Sequence, residues 1–123
     1  MLDHVSLGVA DLARAARFYD AVLEPLGWVR VWTNERAIGY GAVGGEDKLA
    51  IKQRAGAHAA GEGFHLALTA TSRAAIDSFH LRALAAGGLD GPPGLRPAYG
   101  HGYYAAFVRD PDGYSLEAVF HEI

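Results

Sequence analysis

His4-Val5-Ser6-Leu7, near the start of the chain, returns 61 residues later as His65-Leu66-Ala67-Leu68. Carried on in register, Phe18 meets Phe79, Leu23 meets Leu84 and Gly27 meets Gly88. Asp11 falls on Ser72, so two residues that favour helix N-caps coincide. Further along, Gly39 meets Gly100, Tyr40 meets His101 and Gly41 meets Gly102. One small unit is used twice, and each copy opens with a histidine on its first strand. If a pseudo-two-fold axis relates the copies, the two histidines approach each other beside it.

Working outward from that stretch, Val5, Leu7 and Val9 alternate with His4, Ser6 and Gly8. This is a strand with one apolar face and one polar, small-residue face. Asp11 is expected to cap a helix running to about Leu23. Its stripe is Leu12, Ala15, Phe18, Tyr19, Val22 and Leu26, and Pro25 and Gly27 stop it. Strands are predicted over 28–33, 37–43 and 48–53, with Gly44-Gly45-Glu46-Asp47 as a turn. Residues 1–53 therefore read as a βαβββ unit, 54–63 as a linker and 64–123 as a second unit. In the second unit Ser72 caps a helix that turns Ile76, Phe79, Ala83 and Leu84 toward the core and ends at Gly87-Gly88. Residues 89–98, with Gly91-Pro92-Pro93-Gly94, are too rich in proline for a central strand and predict a loop or a short, damaged one. Strands follow over 103–108 and 114–120, joined by the turn Arg109-Asp110-Pro111-Asp112-Gly113. The expected architecture is α+β, a single domain over 1–123: two tandem βαβββ units forming a curved mixed sheet with helices on its outer face.

The chain has 123 residues, half of them hydrophobic, enough for one domain with a real core. A net charge of -3 and no basic stripe argue against a nucleic-acid partner. The absence of cysteine excludes disulfides, thiolate nucleophiles and cysteine-type zinc sites, so a metal would need His, Asp, Glu or water. No apolar run reaches membrane-spanning length, and Asp3 and His4 interrupt any basic-then-apolar leader. A cytoplasmic protein acting on a small molecule, with no membrane partner, is the expectation.

One face of each sheet must bury against its helix, which turns His4 and His65 toward the opposite, concave face. On the last strand Leu116, Ala118 and Phe120 share one face, and Ser115, Glu117 and Val119 the other. Two imidazoles and one carboxylate, His4, His65 and Glu117, thus point by alternation into a common hollow. Such a set holds one divalent metal ion, zinc, nickel, manganese or iron, with coordination positions left for substrate or water. His101 and Tyr103, on or just before the seventh strand, are the candidate catalytic groups, able to move a proton on a bound oxygen substrate. Tyr40, Lys52 and Arg96 are the candidate substrate-binding residues, the last two for an anionic group.

The chain resembles the vicinal oxygen chelate superfamily, which includes glyoxalase I, bleomycin-resistance proteins, fosfomycin-resistance transferases and extradiol dioxygenases. Three stretches carry the resemblance: Leu2-Asp3-His4-Val5, Gly63-Phe64-His65-Leu66 and Asp110-Pro111-Asp112-Gly113-Tyr114-Ser115-Leu116-Glu117. The resemblance implies metal ligands at His4, His65 and Glu117 and, for a chain of this size, a homodimer. It implies a fourth ligand at the first copy's counterpart of Glu117, where Ala50 stands and cannot bind a metal. That departure disfavours the glyoxalase I reaction. It leaves lyase, isomerase, dioxygenase or transferase chemistry through a two-histidine, one-glutamate site. The resemblance equally allows a metal-free protein that sequesters an antibiotic-type molecule.

Plainer readings stand beside these. Either histidine alone is more often a buried structural group, and Glu117 could simply pair with one of them. Tyr103 and Tyr104 are both good strand formers, and only one can face inward in a regular strand. His58 and His121 are expected in solvent and His80 half-buried. Lys52 and Arg96 are more often ordinary surface charges. Gly100 and Gly102 form no phosphate loop, because no helix N-terminus follows them.

Overall fold

Alternation and helix caps account for most element boundaries in the computed structural model, which describes residues 1–86 and 91–123. The first unit contains β1 (Val5–Val9), α1 (Leu12–Leu23), β2 (Trp28–Thr33), β3 (Ala37–Ala42) and β4 (Leu49–Gln53). The second contains β5 (Leu66–Thr69), α2 (Arg73–Ala85), β6 (Gly94–Leu95), β7 (Tyr103–Arg109) and β8 (Ser115–His121). The fold is α+β with the βαβββ order twice. The strands make two sheets rather than one, ordered β1-β4-β3-β2 and β5-β8-β7-β6. In each, the first strand runs parallel to the fourth and the other pairs are antiparallel. β1 and β5 therefore lie at sheet edges.

The caps act as their residue types require. Asp11 accepts a hydrogen bond from the Arg14 amide at 3.1 Å, and Ser72 accepts one from the Ala75 amide at 3.1 Å. α1 passes at Glu24–Leu26 into a tight 3-10 turn, stopped by Gly27. Gly27 adopts φ 87°, a left-handed conformation open to glycine, and its amide closes on the Glu24 carbonyl. Ala15, Phe18, Tyr19, Val22 and Leu23 of α1 are buried, as are Ile76, Phe79 and Ala83 of α2. Leu84 is exposed instead of facing the core, because one position past Ala83 the helix has turned about 100° away. The helix end read at Gly87-Gly88, and with it the Gly27–Gly88 match, falls outside the described residues. β6, only two residues long, is the damaged strand that the prolines predict.

α1 packs on the first sheet, α2 on the second, and the two helices pack on each other. One apolar cluster runs through both, from Leu7, Val9 and Ile51 to Leu68, Val108 and Leu116. The β7–β8 turn is pinned to this core by its own motif. Asp110 Oδ1 accepts the Asp112 and Tyr114 amides at 2.9 and 2.8 Å, and its other oxygen accepts the Tyr19 hydroxyl of α1. Burial, outweighing these hydrogen bonds, pushes the Asp110 carboxyl above its usual value. Tyr114 reaches back to donate to the Gly8 carbonyl at 2.8 Å, and Asp112 accepts the Ala10 amide at 2.9 Å. The most specific motif of the sequence thus ties the second unit to the first.

Strand register fixes which residues of the two copies are true counterparts. Ser6 pairs with Ala50 as Ala67 pairs with Glu117, so Ala50 stands where Glu117 stands. Gly39 pairs with Ala50 and Phe107 with Glu117; Tyr40 pairs with Leu49 and Val108 with Leu116. The counterpart of Tyr40 is therefore Val108, not His101, and Gly39 matches Phe107, not Gly100. The linear match that holds through β1 and α1 is lost where the intervening loops differ in length. Among the described residues no helix is long and apolar enough to cross a membrane.

Candidate functional site

The face of the second sheet that α2 leaves free gathers a polar cluster around Glu117. Parity on β8 sends Leu116 and Ala118 into the core and Glu117 to the other side. Its side chain is nonetheless only 2% exposed, while that of His65, just before β5, is 51% exposed. His65 Nε2 lies 3.1 Å from Glu117 Oε1, and the Tyr103 hydroxyl donates to Oε2. A carboxylate this deeply buried needs such partners, because burial without them costs several kcal/mol on the order of that for any unpaired charge. Burial, and then the hydrogen bond and charge of Glu117, push the Tyr103 phenol up to about 12. It stays a proton donor throughout the neutral range.

Tyr103 is the tyrosine of β7 that faces this cluster. Tyr104 points the other way, donating to Asp77 of α2 at 2.6 Å. Phe107 shares the face of Tyr103, with its ring 6.5 Å from that of His65 and 6.3 Å from that of Tyr99. Arg96 reaches the same ring from another side: its guanidinium lies 5.2 Å from the Phe107 centroid and donates to the Pro92 carbonyl at 2.5 Å. Phe107 was legible from parity alone, two residues beyond Ala105 on the face of Tyr103, but an isolated phenylalanine in a strand gives no chemical signal.

The other expected residues lie elsewhere. His101 is exposed in a separate cavity of about 410 Å³, with Gly100, Gly102 and Glu122, and does not join the Glu117 cluster. Tyr40 is buried on the helix side of β3, away from the Glu117 cluster, and donates to Asp20 of α1 at 2.8 Å. Asp20 also accepts hydrogen bonds from Nε and Nη2 of Arg30, at 2.9 and 2.7 Å. Burial alone would raise the Asp20 carboxyl, but the hydrogen bonds from Arg30 and Tyr40 together hold it below its usual value.

His4 sits at the free face of the first sheet, 47% exposed, with Nδ1 2.7 Å from Asp3 Oδ1. It opens on a cavity of about 400 Å³ with Val31, Trp32, Glu46 and Asp47. Lys52 lies in a larger cavity of about 830 Å³ on the same unit, with Trp32, Arg36 and Arg54. Within one chain the structure thus brings His65 and Glu117 together but not His4 with them. Among the described residues no group of three or more His, Cys, Asp or Glu side chains is placed to hold a metal ion. The approach of the two histidines expected from an internal two-fold is not made, because β1 and β5 belong to different sheets.

Two copies of a βαβββ unit, each with an open sheet face, define a paired-βαβββ fold. The chain belongs to the Glyoxalase/Bleomycin resistance protein/Dioxygenase superfamily, whose pattern it matches over residues 1–118. A crystal structure of a glyoxalase/bleomycin resistance protein from Albidiferax ferrireducens T118 is similar at 33% identity, with 99% of each chain covered and a TM-score of 0.83. A glyoxalase-related enzyme from Fulvimarina pelagi is similar at 28% identity, covering 98% of this chain and 87% of that one, with a TM-score of 0.72. The fosfomycin resistance protein FosX from Mesorhizobium loti, at 21% identity, covering 100% of this chain and 93% of that one with a TM-score of 0.70, shares the fold. Among curated proteins none matches the chain.

Proposed function

We propose that this chain is a divalent-metal-dependent enzyme acting on a small, oxygen-rich substrate, with His65 and Glu117 from one chain and His4 from a second chain as metal ligands. The observation that carries this reading is the 3.1 Å approach of the His65 imidazole to the buried Glu117 carboxylate on an open sheet face. The nitrogen and oxygen that face each other are both groups able to ligate a divalent cation. Two donors are too few for a stable site, and the third expected ligand is exposed on the other sheet. An edge strand at each first-copy and second-copy sheet, β1 and β5, offers unpaired backbone through which two chains could bring His4 of one beside Glu117 of the other.

When bound, the metal would act as a Lewis acid on a substrate oxygen. The chain's own groups do the rest. Tyr103 donates to Glu117 and fixes the orientation of its carboxylate, as partners of a metal ligand generally do. Phe107 and Tyr99 line the approach to the pair with apolar surface. Ala50 in the position of Glu117 leaves the first copy without a matching carboxylate, which favours lyase, dioxygenase or transferase chemistry over the glyoxalase I reaction. His101, outside the cluster, is not needed in this scheme.

A complementation experiment tests both the metal and the pairing. His4→Ala and Glu117→Ala proteins, each purified alone, should bind no stoichiometric zinc, nickel, manganese or iron. Mixed and refolded together, they should recover one site per mixed dimer, because one intact combination reappears. Recovery of none would place all ligands within one chain. Wild-type protein that takes up no metal at all would sink the reading.

One observation favours a second reading. Both Glu117 oxygens already have partners in His65 and Tyr103, so the cluster is satisfied without a cation. In that case the same hollow sequesters a small molecule, and ligand binding survives a chelator.

A further inference from the structure

The first sheet carries a feature that the histidine–glutamate site does not use. Pairing between β2 and β3 runs Arg30 with Tyr40, then skips a residue and resumes with Trp32 opposite Gly39. The extra residue is Val31, and it forms a β-bulge. In an unbroken ladder Trp32 would fall opposite Ile38, on the buried helix face. The bulge turns it to the free face. There the indole lies over Gly39: a Cβ on that glycine would come within 2.2 Å of Trp32 Nε1 and 2.4 Å of Cε2. Gly39 matches Phe107 of the second copy, so an aromatic ring from the neighbouring strand occupies the space that Phe107 fills there.

Trp32 is 37% exposed and forms the wall shared by the cavities of about 830 and 400 Å³. The larger is of a size that takes a drug-like ligand. It is lined by three cations, Lys52, Arg36 and Arg54, against one acid, Glu35. Among the described residues none of the three cations is in an ion pair; Arg54 donates to the Gln53 carbonyl. On a chain of net charge -3 this is a local excess of the opposite sign.

We propose that this hollow binds a planar organic anion, a conjugated or aromatic ring bearing a carboxylate, with the ring stacked on Trp32 and the carboxylate held by Lys52 and Arg36. An exposed indole offers a rigid stacking surface, and a guanidinium matches a carboxylate in geometry as well as charge. A floor of glycine beneath the indole keeps it close to the sheet and leaves depth above it. The inference rests on the reading of the free sheet faces as a ligand-binding surface but not on the presence of a metal.

Binding of 2-naphthoate to the full chain, measured in EDTA, tests it. The chain has two tryptophans, so the indole N–H signals in a nitrogen–proton NMR spectrum separate Trp32 from Trp28 once a Trp32→Phe variant assigns them. 2-Naphthoate should shift the Trp32 signal, with about tenfold weaker binding in Lys52→Met and in Arg36→Met, the loss expected for one charge-assisted contact. Cyclohexanecarboxylate, charged but not planar, and 2-naphthalenemethanol, planar but uncharged, should each bind more weakly than 2-naphthoate. A Trp32 signal that does not move, unchanged affinity in the Lys52→Met, Arg36→Met double variant, or equal binding of the non-planar acid would each overturn the proposal. Metal uptake by that double variant should match wild type, so a failure here is separable from a failure of the metal site.

Discussion

Glu117 holds a carboxylate where almost no water reaches it, and each of its oxygens has one partner. Removing either partner leaves a buried acceptor unsatisfied, which costs more than the bond itself contributes. Tyr103→Phe should therefore lower stability by about 1–3 kcal/mol, read from the urea midpoint with an unchanged denaturant slope. An unchanged midpoint would mean that water replaces the phenol. The carboxylate at this scale was legible in the sequence: alternation on β8 put Glu117 opposite Leu116 and Ala118, and alternation from Leu66 and Leu68 did the same for His65. Tyr103 was named without its partner, since strand pairing decides which phenol meets Glu117. The match of Tyr40 to His101 failed because it ignored the register, which seats Tyr40 against Leu49 on the core side.

At the scale of elements, Asp20 joins α1 to β2 and β3 through Arg30 and Tyr40. Its carboxyl is held below the usual 3.8, so the charged form is favoured by folding. That contribution is present above the unfolded value and is lost as pH falls through the folded one. Melting temperatures measured downward from pH 5 should fall more steeply for wild type than for Asp20→Asn; parallel curves would remove Asp20 from the acid response. The bulge at Val31 invites a second test. Gly39→Ala drives a methyl group into the Trp32 indole, and strain of this kind costs about 1–3 kcal/mol. The variant should lose stability and shift the Trp32 indole N–H; a silent spectrum would mean that the indole does not lie on Gly39. Helix caps and strand alternation made β1 to β5 and both helices readable from local pattern, but a bulge inserts one residue without any compositional mark. Trp32 therefore read as an ordinary strand former.

For the molecule as a whole, one core threads both helices, while the free sheet faces stay open and carry different residues. The three proposed metal ligands are divided between them, two on one sheet and one on the other. A second copy would bring them together, and light scattering at high concentration should report twice the mass of a 13.1 kDa chain. A monomer under those conditions would remove the paired site. The duplication announced two like units from the sequence, since each histidine opened its strand at the same place. It did not announce that the strands would stay in separate sheets, because the packing of α1 on α2 depends on tertiary contacts that no local pattern encodes.

The register that sets Ala50 in the place of Glu117 also makes the free faces of the halves chemically different. One repeat has the buried carboxylate, whereas its twin has a methyl group in that place and an indole and a cluster of cations nearby. Under the two proposals made above, changes at Arg36 or Lys52 would retune what the protein accepts and leave His65 and Glu117 undisturbed. Such separation gives a duplicated fold room to diversify: selectivity can drift at those positions of one repeat while the proposed ligand positions stay under constraint.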